Sequence, residues 1–171
     1  MITQLVLLAF EIAGAALAPQ RAQQAAEVAE YMAEHRDPKI YFPKLAAVDE
    51  KAARERVGKI FLIWPFYESS WSPRVVGDDG RSCGYMQVSS VFFKWTKMTC
   101  ADMQKSAYYG ATAGARTIEH LIEECGDLES ALGAFASGKC GGAPKLVKAR
   151  CDKGGIGSCK DEIPAVQPNA K

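Results

Sequence analysis

The sequence lacks an excess of charge of either sign. Its 21 Lys and Arg stand against 20 Asp and Glu, leaving a net charge of +1. That near-cancellation excludes the broad cationic field of a nucleic-acid binder, so no nucleic-acid partner is expected. Long apolar runs are missing too. No uncharged apolar stretch approaches the roughly 20 residues that a membrane-spanning helix needs, which excludes a conventional multi-pass membrane protein. Histidine is scarce, with only His35 and His120. Neither lies near a cysteine in a finger-like spacing, and no two cysteines are separated by only two residues. A zinc site is therefore not expected, and neither metal nor organic cofactor is implied.

What is present is an ordinary globular balance over 171 residues, 48% hydrophobic and 24% charged, enough for one domain with a core. The six cysteines, Cys83, Cys100, Cys125, Cys140, Cys151 and Cys159, all fall in the second half. An even count with no metal spacing reads as an oxidised framework, which suits a chain exported from the cytoplasm. Sequence does not choose among the pairings.

Three regions follow along the chain. Residues 1–18 are apolar apart from Thr3, Gln4 and Glu11, and end in Ala16-Leu17-Ala18. That ending suits a signal-peptide cleavage site, whereas Glu11, Pro19 and the missing N-terminal basic residue suit a helix packed on the domain or lying at a membrane surface. Residues 19–44 hold a helix over 21–36, with Ala22, Ala25, Ala26, Ala29, Met32 and Ala33 on one stripe. Asp37-Pro38 stops it, and Tyr41-Phe42-Pro43 reads as a linker. Residues 45–171 form the main domain and open with a long helix over 45–69, apolar from Ile60 to Tyr67 and kinked at Pro65.

Further helices are expected over 102–124 after a Thr99 cap, from an Asp127 cap onward, and over 143–150. Strand signals are confined to a short ribbon near 74–88. The expected class is mainly α, with a disulfide-containing C-terminal part. His120 reads as solvated, and so does the run Lys145, Lys148, Arg150 and Lys153, although such a run could also help hold an anionic glycan. Trp71 and Trp95 could stack on sugar faces, but core or rim packing is the commoner use of tryptophan in a small domain.

The chemistry concentrates in 68–88, ESSWSPRVVGDDGRSCGYMQV. Glu68 ends a helix whose last turns are Phe61, Leu62, Ile63, Trp64, Phe66 and Tyr67. A carboxyl at the edge of an apolar, aromatic wall loses solvation, which favours its neutral form. A neutral acid is what glycosidic cleavage needs, because the leaving oxygen must receive a proton. Asp78 or Asp79, in a Gly-flanked turn, offers a second carboxylate.

This stretch resembles the soluble-type lytic transglycosylases and the related goose-type lysozymes, whose shared signature is Glu-Ser, a variable loop, then Gly-Leu-Met-Gln. Here the match is Glu68-Ser69, then Trp71-Ser72-Pro73-Arg74-Val75, then Gly84-Tyr85-Met86-Gln87-Val88. It continues more weakly over 107–138, where Ala131, Leu132, Ala134 and Gly138 are kept. Phe135 stands where the family has a substrate-contacting tyrosine, and Ala136 where it has an asparagine. The first 40 residues and the cysteine-bearing tail lie outside the resemblance.

The resemblance implies a lysozyme-like helical fold acting on the glycan strand of peptidoglycan. Glu68 would be the general acid and then the base. Ser69 would hold the glutamate or meet the sugar, and Tyr85, Met86, Gln87, Tyr108 and Phe135 would line the cleft, itself expected between the 45–69 helix and the later helices. Transglycosylases of the family give 1,6-anhydro ends with one carboxyl. Goose-type muramidases position water with aspartates, and Asp78 falls where one would sit. A non-catalytic module on the same scaffold, binding glycan or assembling a secretion or phage apparatus, is the third reading. The implied setting is the periplasm, the extracellular space or a virion.

Overall fold

A computed structural model describes residues 1–14, 17–156 and 159–163. Ala16 of the cleavage-like tripeptide lies outside them. Ten α-helices and a small antiparallel sheet make up the described part, so the class is mainly α. No described helix is long and apolar enough to cross a membrane.

Helix α1 (Ile2–Ala13) buries Leu5, Ala9, Ile12 and Ala13 against α2 (Pro19–His35) and α5 (Glu50–Ser69). The alanine stripe of α2 faces inward as its spacing requires, and small side chains let α2 and α5 pack closely. Between them the expected linker is folded. Asp37 caps α3 (Pro38–Tyr41) by accepting from the Lys39 amide, and α4 (Pro43–Val48) follows. Tyr41 and Phe42 are buried. An aromatic pair is too apolar to be left on a linker, and burial organises the chain around it. The long helix begins later than its apolar pattern suggested, because Asp49 is its cap and accepts from the Ala52 amide.

After α5 the chain forms β1 (Val76–Gly77), β2 (Ser82–Cys83) and β3 (Val88–Ser89), in the order β1-β2-β3. Val76 lies opposite Cys83, and Cys83 opposite Val88. Then come α6 (Phe93–Thr96), α7 (Cys100–Met103), α8 (Ala107–Cys125), α9 (Leu128–Ser137) and α10 (Pro144–Lys153). Thr99 is a cap, as expected, but of α7; Ser106 caps α8, which therefore starts at Ala107 rather than near 102. Three disulfides close the framework: Cys83–Cys100, Cys125–Cys140 and Cys151–Cys159. The first ties the sheet to α7, the second the end of α8 to the loop after α9, and the third α10 to the chain beyond it.

The α7 cap has a pH signature. The Thr99 amide donates to Asp102 Oδ2 at 3.0 Å, and the Asp102 amide to Thr99 Oγ1 at 3.2 Å. Lys105 Nζ lies 2.6 Å from Asp102 Oδ1. These hydrogen bonds, that of Lys105 foremost, hold the Asp102 carboxyl well below the usual carboxylate range. A depressed folded value means stability that is present above the unfolded value and lost as pH falls through the folded one. Asp102→Asn is therefore expected to lower the urea midpoint at neutral pH. The gap from wild type should close as pH drops below about 4. The pair is exposed, so the gap should also shrink in high salt.

Candidate active site

Helix α5 carries the glutamate, and its sequence dictates how it ends. Pro65 stands inside the helix without an amide hydrogen to donate, yet the helix runs on to Ser69. Ser70 and Trp71 then take left-handed conformations, φ 49° and 59°, which reverse the chain straight after Ser69. The reversal is clamped by the Trp71 indole, only 1% exposed, whose Nε1 donates to the Leu62 carbonyl at 2.7 Å. Trp71 is thus core, not a sugar platform.

The turn brings the two halves of the signature together. Ser69 Oγ donates to the Tyr85 carbonyl at 2.7 Å and lies 3.1 Å from the Pro65 carbonyl. Its hydroxyl joins the helix end to the turn between β2 and β3 rather than reaching toward Glu68. Tyr85 and Met86 are fully buried against α8. Gly110 and Gly114 make that contact by having no side chain: a Cβ at 110 would lie 2.6 Å from Tyr85 Cβ, and one at 114 within 2.8 Å of Met86 Cβ. Burial pushes the Tyr85 phenol far up, with Tyr108 adding to the effect. Both residues support the site from beneath. Gln87, at φ 50°, donates through Nε2 to the Val75 and Gly84 carbonyls, 2.9 Å each, and so holds the loop closed.

Glu68 itself is 20% exposed in its side chain. The aromatic wall is there, with Trp64 buried and Tyr67 alongside on α5. A partner absent from the sequence reading is there as well. Arg150 Nη1 lies 2.5 Å from Glu68 Oε1, and its side chain is only 10% exposed. The carboxylate is one half of an ion pair, where the sequence led us to expect a neutral acid on an apolar wall.

This corrects the reading of Arg150 as part of a solvated run. Lys145, Lys148 and Lys153 are exposed, but Val147, Arg150 and Cys151 are buried. Those three fall at i, i+3 and i+4, the inward stripe of a helix. That spacing was the signal for Arg150, masked by the lysines around it.

Asp78 is exposed at φ 51°, and its Oδ2 accepts from Ser82 Oγ at 2.5 Å. Its partner belongs to the ribbon, while that of Glu68 belongs to α10. Tyr108 is 37% exposed and meets Tyr31 edge-on at 5.2 Å. Desolvation, Glu27 and Tyr31 raise its phenol pKa. Phe135 is half-buried against Leu121, Ala131 and Ala134, so it packs between α8 and α9. His120 is stacked on Trp95, ring centroids 4.3 Å apart, with Nε2 3.3 Å from Glu124 Oε1; it is not a solvated residue.

A cavity of about 360 Å³ lies directly after the glutamate in sequence, between Gln20, Arg21 and Gln24 of α2 and the loop from Trp71 to Arg74. Another of about 430 Å³ borders α10, lined by Glu129, Lys145, Lys148 and Cys151 among others. Neither includes Glu68.

Chemically, the site offers one carboxylate at a helix end, a guanidinium on it, and a loop fixed by side chain to backbone hydrogen bonds from Ser69, Trp71 and Gln87. Comparison with known proteins adds no name to this arrangement: no family model, no curated protein and no solved structure matches the chain.

Proposed function

We propose that this chain is an exported peptidoglycan lytic transglycosylase that uses Glu68 as its single acid and base. The observation that carries the reading is the hydrogen bond from Ser69 Oγ to the Tyr85 carbonyl. It supports the reading by joining Glu68-Ser69 to Gly84-Tyr85-Met86-Gln87, the two segments that resemble the family's signature. The three disulfides support an oxidising compartment.

In the reaction, Glu68 donates its proton to the glycosidic oxygen between MurNAc and GlcNAc. The C1–O bond breaks, with its electron pair going to that oxygen. The oxocarbenium-like C1 is captured by the C6 hydroxyl of the same sugar, whose proton passes to the Glu68 carboxylate. The product is a 1,6-anhydro end, with no water consumed and the acid restored. One carboxyl suffices, unlike the paired carboxylates of most glycosidases.

Purified protein incubated with peptidoglycan is expected to release fragments that mass spectrometry finds lighter by one water than hydrolytic products. Reducing ends instead would make it a muramidase and bring Asp78 into the mechanism. No release by folded protein would leave the non-catalytic module, a reading favoured by one observation: the Glu68 carboxylate already has Arg150 as its partner.

A further inference from the structure

Arg150 lies 82 residues beyond Glu68, on a helix outside the region of resemblance. Besides its contact with the carboxylate, its guanidinium carbon sits 5.3 Å from the centre of the Trp64 ring and 5.1 Å from that of Tyr67. Trp64, Tyr67 and Glu68 occupy positions i, i+3 and i+4 of α5, one face of one helix. A planar guanidinium bound by two aromatic rings and a carboxylate has little rotamer freedom left, and a lysine ammonium could not reproduce the fit.

The helix beneath it is fixed as well. Val147 is buried one turn before, Cys151 is tied to Cys159 immediately after, and Gly154 packs closely on Ile63 of α5. The backbone that carries Arg150 is therefore held against the same helix that carries Glu68.

We infer that Arg150 is the positioning residue for Glu68, and this rests on the reading of Glu68 as the acid and base of the reaction. Its fork sets where the carboxyl group points. Its charge also stabilises the carboxylate that exists after the proton has gone to the leaving oxygen and before the C6 hydroxyl returns one. The ion pair of the glycan-free site must first take up a proton, and it forms again between the two proton transfers. An interaction that is strongest at that stage lowers the barrier without tightening the binding of the glycan. Helix α10 and its disulfide thereby belong to the site.

The test measures kcat and KM for release of soluble fragments from peptidoglycan, together with the melting temperature, for wild type, Arg150→Met and Arg150→Lys. Arg150→Met is expected to lower kcat on the order of 10²-fold, the penalty of a slightly misplaced reacting group, with KM little changed. Arg150→Lys should recover part of that loss, because it restores charge without the fork. A purely structural role would lower the melting temperature and leave kcat per folded molecule unchanged. Should Arg150→Met fail to fold, Arg150→Lys alone decides, and a wild-type kcat in it overturns the inference. If wild type cleaves and the variants keep its kcat, the positioning role falls and the transglycosylase reading stands. If folded wild type cleaves nothing, both fall.

Discussion

Glu68→Gln is expected to lose peptidoglycan cleavage by on the order of 10²–10⁴-fold, the usual worth of a positioned acid or base, while glycan binding persists. The substitution is close to isosteric. Its amide oxygen still accepts from Arg150, so the guanidinium keeps a partner and its place between Trp64 and Tyr67. What disappears is the proton for the leaving oxygen and the base for the C6 hydroxyl. The melting temperature should fall, because the Arg150 charge, only 10% exposed, keeps a hydrogen-bond acceptor but loses its counter-charge; cleavage is therefore compared per folded molecule. Asp78→Asn is the companion measurement. Asp78 is exposed and engaged with Ser82, so in a one-carboxyl reaction its loss leaves the rate close to wild type. Release of fragments into the soluble fraction reads both variants. Full activity in Glu68→Gln would remove Glu68 from the mechanism.

Local pattern carried much of the fold and one half of the site. The alanines of α2 repeat at helical spacing with nothing to contradict them, and they are buried as that spacing requires. Thr99 and Asp127 are caps whose chemistry acts over three residues, so their sequence neighbourhood suffices to find them. Where the reading slipped, short helices intervened. Thr99 caps a single turn before Ser106 caps the next helix, and Asp49 divides what looked like one long pattern. A four-residue helix is too short to carry a period.

The parts of the site that stayed hidden depend on distant residues. Ser69 and Tyr85 are 16 apart, Arg150 and Glu68 82 apart, and no local rule links either pair. Cysteine pairing was closed for the same reason. Tyr85 and Met86 show a further limit: the signature names them but does not say whether they face a cleft or the core. Their burial against Gly110 and Gly114 makes them the floor on which the loop rests.

Trp71→Ala is expected to destabilise the protein by about 3–5 kcal/mol, the range for emptying a buried tryptophan site. The ring is almost wholly enclosed, and Phe66 packs on it with centroids 5.1 Å apart. Truncation leaves a void under the end of α5 and removes the donor to the Leu62 carbonyl. A third element is common to wild type and alanine. Trp71 holds a positive φ, a conformation that costs a residue with a Cβ about 1–2 kcal/mol more than glycine. The wild-type indole offsets this through its packing and hydrogen bond; alanine keeps the strain and loses both.

The components separate in urea unfolding. Trp71→Phe retains most of the volume and should lose about 1–3 kcal/mol, mainly for the missing hydrogen bond. Trp71→Gly should be no worse than Trp71→Ala despite its smaller side chain, because it relieves the left-handed strain. Glycine markedly less stable than alanine would mean that the strain is not carried at Trp71. The reversal at Ser70 and Trp71 also sets where Ser69 meets Tyr85, so the alanine variant should lose cleavage at temperatures where it is still folded. A turn held by one buried indole is thus what keeps the glutamate and the Met-Gln loop in register.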